Sequence, residues 1–169
     1  LMDCASNVLM TTTTDGSGNY TFSGLTVATG SPYCASQAVL AGWSLIVIYD
    51  DPSVSGKTLV LYDGFDITRN GSASYLLTGI YASAPLEAKA SFLIWEGDET
   101  LSGSSESLQF NGTALSDALD PVNNVYNSTI NTLGSSTSYG VDLDTFDVSA
   151  LIAAHDVLAT AAVSTGPDL

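Results

Sequence analysis

Short apolar, often β-branched runs recur along this chain, each cut off by Gly, Asn, Asp or Pro, and no helix-period segment lies between them. A helix needs an apolar stripe sustained over several turns, whereas a strand needs only brief alternation or a short apolar run between turn residues. The pattern therefore predicts an all-β fold, an antiparallel β-sandwich or jelly roll, with one short helical segment near 147–154. The predicted strands are 20–27 (YTFSGLTV, after the turn DGSGN), 37–50 (QAVLAGWSLIVIYD), 57–66 (KTLVLYDGFD), 74–80 (SYLLTGI), 89–96 (KASFLIWE), 105–110 (SESLQF) and 157–164 (VLATAAVS). Ile46, Val47 and Ile48 are consecutive and β-branched, which predicts a central strand buried on both faces. Asp51-Pro52 ends it, and the short connection to residue 57 suggests antiparallel pairing of 37–50 with 57–66. Asn111-Gly112 predicts a type I′ turn. Residues 115–131, rich in Asn and Asp, read as a long ordered loop, and Asp147 reads as the N-cap of the helical turns.

The length, 169 residues, suits one domain spanning 1–169. Only 12% of residues are charged, against roughly 25% in ordinary globular chains, so polarity comes from Ser, Thr, Asn and Gly. Eighteen acids against Lys57, Arg69 and Lys89 give a formal net charge of −15. Phosphate recognition needs clustered Lys and Arg, so no nucleic-acid partner is expected. Docking to anionic membrane is disfavoured for the same reason, and the apolar run 45–49 is far too short to insert. Divalent cations are the natural partners of such a surface; simple solubility is the plain alternative.

Cys4 and Cys34 are the two cysteines, and His155 is the one histidine, so the usual zinc sites have no ligand set. In an exported protein Cys4 and Cys34 would form a disulfide, worth roughly 3–4 kcal/mol by loop entropy; two separate buried thiols are the alternative.

Several segments in order, YTFSGL (20–25), GWSL-V-Y (42–49), Asp51-Pro52, LYDGF (61–65), WEGD (95–98), NGT (111–113) and GVDLDTFDVS (140–149), give the chain a resemblance to a β-rich, adhesin-like module of large secreted and surface-anchored bacterial proteins. The resemblance implies an extracellular or cell-surface location and a β architecture rather than a reaction. It also implies further strands outside 1–169, or completion of the sheet by a neighbouring subunit through strand donation.

Candidate chemistry is sparse. His155 sits in AAHD with no GxSxG elbow, which argues against a Ser-His-Asp hydrolase. Glu96, Asp98 and Glu99, or Asp63 and Asp66, could serve a glycosidase, but solvated strand ends are the commoner reading. Calcium has better prospects. It wants six to eight oxygens, and Asp142, Asp144 and Asp147 crowd one short segment in which Asp142 and Asp144 would share a strand face, with Asp147 reachable after a turn. Capping of the following turn is the alternative. Asp15, Ser17 and Asn19 have the opening spacing of an EF-hand loop without its closing Glu, and read as a turn. Sequons at Asn19, Asn70, Asn111 and Asn127 read chiefly as turns. Trp43 and Trp95 read as core. Tyr33, Tyr62, Tyr75, Tyr81, Tyr126 and Tyr139 are candidates for a glycan platform.

The sequence thus favours a non-enzymatic structural or adhesive module, a fibre subunit or an adhesin domain, associating with copies of itself or neighbouring domains through edge strands. A carbohydrate-binding module is the second reading.

Overall fold

The computed structural model describes residues 44–54, 56–95, 97, 99, 106–138 and 140–166. The chain divides into two compact units, Leu1–Ser55 and Gly56–Leu169. In the first, the described residues 44–54 form no strand, and Leu45, Ile46, Val47, Ile48 and Tyr49 are all exposed. This corrects the expectation of a central strand buried on both faces, at least over its described part. β-Branched residues favour strands because they pack against neighbours, so the preference has no force where the structure supplies no cover. Asp51 accepts from both the N–H and the hydroxyl of Ser53, which makes the expected turn at Asp51-Pro52.

The second unit is all-β. Its strands are β1 (Ser72–Thr78), β2 (Lys89–Trp95), β3 (Ser107–Phe110), β4 (Thr113–Ala114), β5 (Val141–Asp147) and β6 (Leu158–Ser164). They form two antiparallel sheets, one in the order β1-β6-β3-β4 and one pairing β2 with β5. Two single 3-10 turns, Asn131–Leu133 and Ser149–Leu151, are the helical content of the described residues, and the second falls in the segment expected to be helical. No helix among them is long and apolar enough to cross a membrane. Residues 57–66, expected as a strand, carry no ladder. They are fastened instead by side chains: Tyr62 donates to the Thr78 carbonyl, and Tyr75 donates to Asp66.

Alternation explains the core. Leu77 on β1, Leu108 and Phe110 on β3, Ala159 and Val163 on β6, Ala90, Phe92 and Ile94 on β2 and Phe146 on β5 meet in one cluster drawn from both sheets. Small Ala161 on the central strand β6 lies between Tyr75 of β1 and Phe110 of β3, so large residues flank a small one and the layer fills evenly. The β3–β4 hairpin turns through Asn111 and Gly112, with φ of 47° and 76°, the two positive values a type I′ turn demands. The Asn111 amide is also held, donating to the Leu151 carbonyl at 2.8 Å and accepting the Thr160 N–H at 2.8 Å.

Candidate functional site

The register of β2 and β5 produces an anomaly. Asp144 stands opposite Phe92, and Asp142 opposite Ile94, on the face that also carries Phe146 into the core. Two carboxylates therefore point inward with apolar neighbours, and both are almost fully buried. Burying a charge without partners is costly, so something must compensate.

The long loop predicted over 115–131 supplies part of the compensation. The Thr129 N–H donates to Asp142 Oδ1 at 2.9 Å, and the Asn131 N–H donates to Asp144 Oδ1 at 2.9 Å. The Asn131 side chain then pairs with Thr145 as a strand residue would, accepting its N–H at 2.9 Å and donating to its carbonyl at 3.1 Å. Leu143 N–H reaches the Thr129 carbonyl at 3.3 Å. This loop thus covers the edge of β5 that β2 leaves free. Ser128, at φ 64°, donates its hydroxyl to the Gly97 carbonyl at 2.6 Å and accepts the Gly140 N–H at 2.8 Å. Gly97 is required here: a Cβ would lie 2.0 Å from Asp142 Oδ2.

The same loop adds two more acids. Asp117 Oδ1 accepts the N–H groups of Leu119 and Asp120, and Asp117 Oδ2 accepts from Asn131 Nδ2 at 2.9 Å. Asp120 is fully buried, and its Oδ1 lies 2.5 Å from the Thr129 hydroxyl, which also lies 2.8 Å from Asn127 Oδ1. One hydroxyl proton therefore faces two acceptors. Asp120 Oδ2 and Asp142 Oδ2 are buried with no hydrogen-bond partner.

Electrostatics follows from this geometry. Burial pushes Asp142 up to about 6, against the opposing N–H groups of Thr129, Asn127 and Ser128 and with the charge of Asp120 adding to the rise. Burial pushes Asp144 up to about 7, opposed by the Asn131 N–H and reinforced by Asp120, Asp142 and Asp117. Burial also raises Asp120, opposed by Thr129 and reinforced by Asp117. Burial acts upward on Asp117 too, but the N–H groups of Leu119 and Asp120 outweigh it and hold the carboxyl below its ordinary value.

Of the three expected cation ligands, the structure brings Asp142 and Asp144 together and leaves Asp147 out. β5 runs unbroken through Asp147 with no turn after Asp144, so the odd-numbered position faces the other side of the sheet. There Asp147 is exposed, stands opposite Lys89 and accepts the Ser149 N–H at 2.9 Å; the Ser149 hydroxyl, together with that N–H, holds its carboxyl below the usual range. Asp117 and Asp120, which joined the cluster instead, lie in a loop with no fixed face, so periodicity could not have selected them. Among the described residues no three acidic, histidine or cysteine side chains stand converged on one metal position.

The other candidates are dispersed. His155 is exposed, with φ 74°, and its Nδ1 lies 3.0 Å from the Tyr81 hydroxyl. An open groove of about 370 Å³ lies between Asp117 and Asp147 over Leu115, Phe146 and Leu151, and no histidine lines it. Tyr126 is buried, donating to the Ser107 carbonyl, and Tyr62 and Tyr75 use their hydroxyls internally. Asn127 is buried and donates to the Leu119 carbonyl. Cys4, Cys34, Asp15, Ser17, Asn19, Tyr33, Trp43, Glu96, Asp98 and Tyr139 lie outside the described residues. Comparison with family models, curated proteins and solved structures returns no match for this chain.

Proposed function

We propose that this chain is an extracellular structural and adhesive module, a subunit of a cell-surface fibre or a domain of an adhesin, that associates with copies of itself or with neighbouring domains through strand edges. The observation that carries this reading is the pair of sheet edges that carry no ladder among the described residues. Among the described residues β1 is laddered only to β6, and β2 only to β5, so each has a side to which a further strand can be added. Leu76 on β1 is 62% exposed, and Leu93 and Leu143 stand opposite one another on the outward face of the small sheet. Low charge density supports the same reading, since few charged side chains stand in the way of edge pairing.

Electron micrographs and light scattering of the purified protein test it. Filaments or discrete oligomers that Leu76→Lys or Leu93→Lys disperses without lowering the melting temperature are the expected result. A chain that stays monomeric at every concentration and binds glycans on an array would replace this reading with a carbohydrate-binding module.

A further inference from the structure

We propose that the acid cluster between residues 117–131 and β5 is a binding site for one calcium-class divalent cation, with Asp120 and Asp142 as its carboxylate ligands. This goes beyond the assembly reading and does not depend on it.

The cluster holds a surplus of acceptors. Eight carboxylate oxygens of Asp117, Asp120, Asp142 and Asp144 are gathered with Asn127 Oδ1, and their donors are a few main-chain N–H groups, one Asn amide and one Thr hydroxyl. The bases of the chain are engaged elsewhere or exposed: Lys57 pairs with Glu87, Lys89 faces Asp147 on the opposite side of the sheet, and Arg69 is exposed. Positive charge must therefore come from a proton or from a cation.

Asp120 Oδ2 and Asp142 Oδ2 separate the two. Each is buried in a residue at most 1% exposed, and neither receives a hydrogen bond. A proton on Asp120 can be shared with the neighbouring Asp117 carboxyl, but it leaves Asp142 Oδ2 unsatisfied. A cation satisfies both oxygens at once. The two carboxylates are adjacent, because Thr129 contacts Asp142 through its N–H and Asp120 through its hydroxyl. Asp120 takes the Thr129 hydroxyl from within the cluster, so its carboxylate is directed into it. With no three carboxylates converged, the remaining ligands are neutral oxygens, for which Thr129 Oγ1 and Asn127 Oδ1 are placed. An oxygen-only donor set with two carboxylates suits calcium and offers nothing to softer metals.

The test is titration of chelator-stripped protein with calcium chloride by calorimetry, with terbium emission excited through the protein aromatics as a second readout. The expected result is saturable binding of one ion and a melting temperature that rises with calcium concentration, as mass action requires. Asp120→Asn should abolish that binding, with circular dichroism verifying that the variant is folded, whereas Asp147→Asn should bind as the parent does. Absence of saturable binding, or an Asp120→Asn variant that binds as tightly as the parent, would overturn the proposal. So would loss of binding in Asp147→Asn alone.

Discussion

Thr129 donates its main-chain N–H to Asp142 Oδ1 at 2.9 Å, and both residues are buried. This bond joins a loop without secondary structure to the inward face of β5, and its acceptor is a carboxylate seated where an apolar residue would normally stand. The same threonine turns its hydroxyl to Asp120, so one residue holds two acids at the junction of loop and sheet.

That dual role sets the first prediction. Thr129→Val keeps the shape and the main-chain bond but removes the hydroxyl from Asp120 and Asn127. Leaving buried acceptors without a donor costs about 1–3 kcal/mol. Urea unfolding should show that loss, and an unchanged midpoint would mean the hydroxyl contributes nothing.

Gly97 offers a steric test. In Gly97→Ala the new methyl would lie 2.0 Å from Asp142 Oδ2 and 2.9 Å from Ser128 N, so the carboxylate or the loop must move. Overpacking of this kind costs about 1–3 kcal/mol. Gly64→Ala, where nothing lies within 4 Å, should change stability little, and equal effects from the two would contradict the packing described.

The hairpin turn separates conformation from hydrogen bonding. Asn111→Gly retains a residue suited to φ 47° but loses the bonds to Leu151 and Thr160, whereas Asn111→Ala loses both. The alanine variant should therefore be the less stable of the two in thermal unfolding. A glycine variant as unstable as the alanine one would assign the whole effect to the side-chain amide.

Acidity should matter in the reverse of the usual direction. In chelator, Asp142 and Asp144 titrate at about 6 and about 7 when folded, above the ordinary carboxylate value of about 3.9. Between those limits the folded chain binds more protons than the unfolded one, so stability falls as pH rises. Each group contributes a slope of up to about 1.4 kcal/mol per pH unit. The melting temperature of stripped protein should thus climb as pH drops from 7 towards 4, and Asp144→Asn should flatten the climb. A melt that rises with pH across this window would contradict the burial of these acids.

The core prediction is plainer. Leu108 is 1% exposed and packs where the two sheets meet, so Leu108→Ala should cost about 2–5 kcal/mol on unfolding. A smaller loss would place that side chain outside the cluster.

Much of the fold was legible because strands and turns are local. β2 and β6 lie within a residue of their expected bounds, and Asn111-Gly112 makes the turn its dipeptide prescribes. Residues 57–66 misled for a physical reason: their alternation satisfies the strand pattern, but a strand also needs a ladder partner, and here two tyrosine hydroxyls do that fastening. Alternation also put Asp142 and Asp144 on one face, as read from the sequence. It could not say whether that face was wet or dry, nor that Asp147 would continue the strand.

By itself, then, the sequence determined what depends on near neighbours along the chain: an antiparallel β class, the Asn111-Gly112 turn, and the shared face of two aspartates. The tertiary structure decided which acids meet. Asp117 and Asp120 reach β5 only because the loop that precedes it in the chain folds back over its edge, and burial depends on what arrives from elsewhere in the chain. Charge and solvation are properties of that assembled space, so the chemistry of the cluster exists only once the chain has closed around it.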